Sequence, residues 1–564
     1  MTFQLSISDI AATPYSSAHF GGNLLATSDI VGENGTFDDT AAALNITFLR
    51  YPGGALTESC ACIYEADRLT GEQGPSDTSE VLLPLTEMFA YASEVVMALT
   101  IVLPTREFLS EETDASGNRL AAVDEDGVRQ FIRDVAEGKF GTTPEIQAFE
   151  IGNEYWGSGE MNAVEYGRVA TKMAVIVNDE LSRQPNADSF AATDILVQMG
   201  ANIGASDLSE MFDGTAEQQL AAASQTFDLS LSGSKYIYSS GEVAWTKVNN
   251  AIIMSQFDTE TERDAIDGVV AHIYSRGEDV PGSRYFELSQ IKDTWLEEMP
   301  ELSVYATEWN LKRSVGETRN DEFGLKQAHE MLNIVEAFEW GGVDAAHVWA
   351  VQLNSRTALA GVEGEADMRV AGEMFRLMNK TLPGTRPLSL DGSQGRETEL
   401  EGVTADVHVF FADNRLVTFL ASTSNETEEQ IVDFNNLVTD AGLVSITRLG
   451  VAPGENPTTT TAEPQVTEEN TGALFSDGVL ISDLAPREIL VIEMFDPSYT
   501  EDVLNISGGP DQRDDDLDLP IIPPEEPESN LGNPPLESDA ESGGDDAGLF
   551  STLIGVLPLL LFAG

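Results

Sequence analysis

The chain has 564 residues, 41% of them hydrophobic and 22% charged, enough to bury one large domain and at least one more, which excludes wholesale disorder. A count of 96 Asp and Glu against 30 Lys and Arg gives a net charge of −66. A field of that sign repels phosphate backbones and anionic headgroups, so nucleic acid and acidic membrane surfaces are poor candidates for partners.

Taken in chain order, the N-terminal MTFQLSISDIAATPYSS lacks the basic start and apolar run of a secretory leader. Its FQLSIS stretch is predicted to be a strand, within residues 1–16, that completes a later sandwich. From 17 to 382, apolar β-branched runs alternate with amphipathic helical stretches, the pattern of a parallel sheet with crossover helices. Eight strands are predicted: FGGNLLA after His19, Ile46 to Tyr51, Val95 to Leu103, Ile146 to Gly152, Ile195 to Met199, Gly268 to Tyr274, Val304 to Trp309 and Ala345 to Val351. Helical periodicity runs from Ala163 to Leu181 and from Leu325 to Trp340, and the largest insertion falls near Ser206 to Glu242. Eight such units fit a (β/α)8 TIM barrel. Cys60 and Cys62, spaced C-x-C, are too few for a zinc site or a disulfide framework. They read either as the closure of one small loop or as free thiols, and the redox compartment stays open.

After Pro383 the pattern changes to short alternating strands (VHVFFA, RLVTFLAS, LVSITRLG, GVLISDL, REILVIEMF), which predicts a C-terminal antiparallel β-sandwich over 383–496. Residues 497–548 are acidic and rich in Pro, Gly and Ser, and are predicted to be a disordered linker. Between Glu501 and Asp546, fifteen acids face Arg513 alone, so this stretch carries −14 and the rest of the chain −52. An acidic body of that size suits a salty medium, where counterions screen charge within about 10 Å. Residues 549–564 (LFSTLIGVLPLLLFAG) are almost wholly apolar but shorter than the roughly 20 residues a spanning helix needs. They read as a membrane anchor or a C-terminal export signal. The expected location is therefore secreted or cell-surface by a route without an N-terminal leader, the alternative being cytoplasmic with a C-terminal anchor.

In a barrel of this kind catalytic groups stand at the C-terminal strand ends. Strand four ends in F-E-I-G-N-E-Y-W, which puts Asn153 and Glu154 on the rim, and strand seven ends in Y-A-T-E-W-N, which puts Glu308 there. Two carboxylates facing each other across the mouth are what hydrolysis of a glycosidic bond with retention needs, one protonated for the leaving oxygen and one ionised to attack the anomeric carbon. Glu308, near a cation, suits the ionised role. Glu154, between Asn153 and the aromatic pair Tyr155 and Trp156, suits the protonated one. Arg50, Arg106, Arg276, Lys312 and Arg313 all follow or end predicted strands, so a local cationic patch that reads a carboxylate or sulfate on the sugar is a further expectation.

The I-G-N-E after strand four, the T-E-W-N after strand seven and the R-Y-P-G-G after strand two resemble the motifs of the retaining glycoside hydrolases of clan A. Within the clan, the resemblance is to the group of α-L-arabinofuranosidases, family 39 β-xylosidases and heparanase-like β-glucuronidases, over residues 17 to 495. It implies Glu154 as general acid/base, Glu308 as nucleophile and Asn153 on the sugar 2-OH. It also implies His272 and Tyr274 as the strand-six pair, Arg50 as the cation that keeps Glu308 ionised, and Trp349 as the floor of the sugar site. Trp156, Trp309 and Arg276 complete the expected substrate contacts. The substrate implied is a plant or algal polysaccharide or oligosaccharide, with no metal or organic cofactor. Two other readings compete: a non-catalytic carbohydrate-binding or surface-adhesion protein on the same barrel, and an aldolase or lyase. The last wants a Schiff-base lysine inside a strand, and the eight predicted strands contain none.

Overall fold

The computed structural model describes residues 2–32, 35–59, 83–312, 322–364 and 367–507; Cys60, Cys62, Arg313, most of the predicted linker and the apolar segment 549–564 lie outside the described residues. Eight parallel strands close a barrel in sequential order. They are β1 (Gly21–Asn23), β2 (Phe48–Tyr51), β3 (Ala98–Leu103), β4 (Ile146–Ile151), β5 (Asp194–Gln198), β6 (Gly268–Ser275), β7 (Ser303–Leu311) and β8 (Val343–Val348). Both faces of such strands are covered, which is why their sequences are nearly continuous apolar runs. Inside, Phe48, Ala148, Leu196, Val270, Tyr305 and Ala345 pack into one buried cluster, with a side chain from each of six strands.

All eight predicted strands are present, their ends shifted by up to three residues, and two of the shifts have a clear steric cause. β3 starts at Ala98 because the helix Leu85–Val95 consumes the first of the β-branched residues and ends on Val96, whose left-handed backbone (φ +57°) leaves it 86% exposed. β1 is short. A Cβ on Gly22 would meet Val351 Cγ2 at 2.5 Å, so only glycine lets β1 sit this close to the chain after β8. The helix Ala163–Ser182 begins on a capping box in which Asn162 accepts from Glu165 N at 3.0 Å and Glu165 accepts from Asn162 N at 3.2 Å. The helix Leu325–Gly341 stops on Gly342 in the left-handed region. Within the predicted insertion a helix forms at Ala216–Phe227 behind a Thr215 cap.

Most of the remaining strands form two sheets. One orders Ile7–Ile10, Arg386–Leu390, Ala405–Ala412, Arg415–Ser422, Ile489–Phe495, Leu443–Val451 and Pro464–Glu468. The other orders Thr2–Gln4, Glu428–Asp433, Val479–Leu484 and Phe475–Ser476, so the N-terminus contributes a strand to each. Period-two alternation divides the side chains of the larger sheet between two cores. Phe411, Leu416 and Leu420 face the smaller sheet, while Phe410, Val417, Phe419 and Ala421 join the apolar core of the barrel helices. The sandwich is thus packed against the barrel by a buried face. No helix among the described residues is long and apolar enough to cross a membrane.

Candidate active site

Two oppositely charged residues lie inside apolar strands and point inward on the same parity as the interior cluster. Arg50 follows Phe48 by two on β2, and Glu150 follows Ala148 by two on β4. Both are fully buried. Arg50 Nε and Nη2 donate to Glu150 Oε2 and Oε1 at 2.7 and 2.8 Å, a planar fork on a planar carboxylate. Its other hydrogens reach Glu308 Oε1 (2.9 Å), Asn153 Oδ1 (2.7 Å) and Asn23 Oδ1 (3.1 Å). One guanidinium therefore orients the rim residues Glu308 and Asn153 together.

Glu308 also accepts from Tyr274 Oη at 2.7 Å, so each of its oxygens has a fixed donor. Glu154 reaches the mouth through a sharp turn, Gly152 at φ +81° and Glu154 itself at φ +44°. The turn is held from below: Glu154 N donates to Gln198 Oε1 (3.3 Å), Gln198 Nε2 donates to Glu150 Oε1 (2.6 Å), and Asn153 N donates to the buried carboxylate of Glu58 (2.8 Å). Between the two glutamates stands His272, whose Nδ1 is 3.2 Å from Glu154 Oε1 and 3.6 Å from Glu308 Oε2. Burial draws its pKa down, but the Glu308 and Glu154 carboxylates outweigh burial and hold the imidazolium above its ordinary range. A carboxylate oxygen of Glu154, one of Glu308 and a nitrogen of His272 all lie within 4.8 Å of one another. The same three atoms are a formal metal-ligand set, but Arg50 and Tyr274 already donate to both oxygens of Glu308.

Around this centre Trp349 packs with Leu25, Ala350 and Tyr274. It is seated by the R-Y-P-G-G turn, where a Cβ on Gly54 (φ +76°) would strike the indole at 2.5 Å. Trp156 sits edge-on to His272 with ring centroids 6.4 Å apart. Asn153 turns its oxygen to Arg50, and its amide nitrogen bonds none of the described residues. Trp309 differs from expectation: it is fully buried against Phe338 and Phe375 in the helix layer, because a register shift in β7 after Ala306 turns Glu308 inward and Trp309 outward. Sequence reading also missed Glu150, Glu58 and Gln198; a charged residue inside an apolar strand was the available signal for the first.

The cationic patch is smaller than expected. Arg50 is committed to the carboxylates inside the barrel, Arg106 pairs with Glu160 at 2.5 Å, and Arg313 is outside the described residues. Arg276 and Lys312 remain, side by side at the ends of β6 and β7, where Lys312 N donates to Ser275 O at 2.7 Å. Burial and Arg276 hold the Lys312 ammonium below its usual range. Burial pushes the Glu287 carboxyl up to about 7, against the pull of Arg276, Lys312 and His272.

No family model and no curated protein sequence matches the chain. Solved structures do. The α-L-arabinofuranosidase from Thermotoga maritima, in its arabinose complex, is 13% identical with a TM-score of 0.54, and the family 51 α-L-arabinofuranosidase from Bifidobacterium longum is 12% identical with a TM-score of 0.55. Each alignment covers 87% of this chain and 99% of the other. A bifunctional glucanase-xylanase from a metagenome library is 12% identical with a TM-score of 0.52, covering 88% and 99%. At this identity the likeness shows the fold: a closed parallel barrel carrying an antiparallel sandwich is the architecture this chain shares with glycoside hydrolases.

Proposed function

We propose that the protein is a retaining glycoside hydrolase, with Glu154 as acid/base and Glu308 as nucleophile, acting on a plant or algal polysaccharide or its oligosaccharides. The observation that carries this reading is the pair of carboxylate oxygens within 4.8 Å, on opposite strand ends of a glycosidase-like barrel. A retaining pair stands about 5–5.5 Å apart, whereas an inverting pair leaves room for water at about 6.5–9.5 Å. In the first step Glu308 attacks the anomeric carbon while Glu154 gives its proton to the departing oxygen, leaving a glycosyl ester on Glu308. In the second, Glu154 takes a proton from water, the oxygen attacks the same carbon, and Glu308 leaves as carboxylate. Arg50 and Tyr274 each donate to one oxygen of the nucleophile and so fix its orientation. The imidazolium of His272 bridges the two carboxylates, and the Asn153 amide, its oxygen taken by Arg50, would donate to the sugar 2-OH.

The test is a panel of aryl arabinofuranoside, xyloside, glucuronide, galactoside and fucoside, assayed with the wild type and two variants. Glu308→Ala and Glu154→Ala should each lower turnover of the preferred substrate by about a thousandfold. Azide should then trap the glycosyl-enzyme of Glu154→Ala as a glycosyl azide of retained configuration, and react from the opposite side in Glu308→Ala to give the inverted one. Turnover at wild-type rates in both variants rejects the assignment. The glucuronide reports on Arg276 and Lys312, the cations that an acidic sugar would meet.

A further inference from the structure

A second set of ligand-bearing side chains is buried where the helix Leu325–Gly341 meets the sandwich, away from the barrel mouth. Glu336 of that helix accepts from Thr398 Oγ1 at 2.7 Å and from His408 Nδ1 at 2.6 Å. Glu399, 3% exposed, brings an oxygen within 4.8 Å of the donor atoms of both, and its Oε2 has no hydrogen-bond partner among the described residues. The far nitrogen of His408 is 3.1 Å from Nε2 of His329, two helical turns before Glu336. A cavity of about 110 Å³, lined by His329, Glu399 and Asp406 among others, adjoins the set.

The neighbouring charges do not neutralise it. Arg284 is engaged by Glu330 in a two-point pair at 2.7 and 2.8 Å, and its third contact, at 3.5 Å, goes to Glu397. Glu336 and Glu399 thus face each other with one imidazole between them and, among the described residues, no fixed cation. One imidazole nitrogen with two carboxylates and room for water is the donor set of a borderline divalent ion; Ca²⁺ prefers six to eight oxygens.

We propose that Glu336, Glu399 and His408 form a structural site for a divalent transition ion of the Zn²⁺ or Mn²⁺ class, which ties the barrel helix after β7 to the sandwich strand Ala405–Ala412. The ion takes the place of the hydrogen between His408 Nδ1 and Glu336. The His408 proton then sits on Nε2 and is donated to the lone pair of His329 Nε2, so His329 fixes the ring that binds the ion. The competing occupant is a proton on Glu399, whose carboxyl burial and Glu336 push well above the usual range.

The experiment takes the full chain through EDTA and re-equilibrates it with micromolar Zn²⁺ or Mn²⁺, followed by elemental analysis and thermal unfolding. About one ion per chain and a raised unfolding midpoint are expected. Glu399→Gln, which keeps the shape and removes the charge, should weaken binding at least tenfold. Glu308→Gln should bind as the wild type does, which separates this site from the catalytic trio. Absence of a stoichiometric ion in the wild type, or unchanged binding in Glu399→Gln, overturns the proposal. Should Glu399→Gln fail to fold, His329→Gln, which leaves the three ligands in place, should still weaken binding, and unchanged binding there has the same force.

Discussion

Arg50 spends all five of its N–H groups inside the barrel: two on Glu150 and one each on Glu308, Asn153 and Asn23. Each acceptor is buried, so removing the fork strands carboxylates where water cannot reach them. Lysine has the charge but only three hydrogens on a single point, and cannot span Glu150 and Glu308 together. Arg50→Lys should lower unfolding free energy by about 3 kcal/mol or more in urea titration, with a fall in kcat larger than any change in KM. An unchanged urea midpoint would show that charge alone suffices. Much of this centre was legible in the letters. Glu154, Glu308, Asn153, His272, Tyr274 and Arg50 were found from strand ends and motifs, and the structure brings them together. Glu150 was not, although the parity that takes Ala148 into the interior takes Glu150 there too, opposite the inward Arg50. Trp309 defeats parity instead: counting by twos from the interior Tyr305 puts Trp309 inward, and the register shift after Ala306, where His272 pairs with Glu308, turns Glu308 in and Trp309 out. Glu58 and Gln198 act through the backbone of other segments, and no local spacing announces that.

At the scale of elements, the strand beginnings carry a second set of acids, at the barrel end opposite the proposed site. Asp194 opens β5, Asp267 precedes β6 and Asp344 lies in β8. Asp267 Oδ2 accepts from Ile195 N and Asp344 Oδ2 from Val304 N, both at 2.9 Å, so these carboxylates hold neighbouring strands in register. Asp194 accepts from Tyr305 Oη of β7 at 2.8 Å. Burial raises all three, and Asp194, with Asp267 and Asp344 as like-charged neighbours, is pushed up to about 6. A carboxyl whose pKa is higher in the folded state than the unfolded binds more protons when folded, so it stabilises the fold at low pH and loses that contribution as pH rises. For Asp194 the loss falls between about 4 and about 6. Asp194→Asn should therefore flatten the fall in thermal midpoint across that window and leave the protein more stable than wild type above pH 6. An identical pH profile in the two proteins would mean that Asp194 titrates normally. Element positions themselves were largely readable, because alternation of apolar runs with helical periodicity survives in every unit. Two of the boundaries that moved did so for steric reasons outside that pattern, a left-handed helix end at Val96 and Gly22 pressed against Val351.

For the whole molecule the governing quantity is −66, and the described ion pairs show how it is distributed. Cations are used locally: Arg168 with Asp114, Arg129 with Glu125 and Asp179, Arg119 with Glu165, Arg448 with Glu469 and Glu488. With 96 acids and 30 bases, about two acids in three have no base to match them, and their mutual repulsion opposes the compact state. Salt acts on the two populations differently. Exposed charges are screened over about 10 Å at 0.1 M and about 3 Å at 1 M, whereas buried pairs such as Arg50 with Glu150 are screened far less. Added NaCl should therefore relieve repulsion without dissolving the pairs that order the proposed site, and the thermal midpoint should rise continuously from low salt to 1 M. Below pH 4, where most carboxylates are protonated, the same salt series should give a much smaller rise, which separates charge screening from a general effect of salt on apolar burial. A midpoint that falls with NaCl at pH 7 would show that surface ion pairs outweigh the repulsion between the unmatched acids.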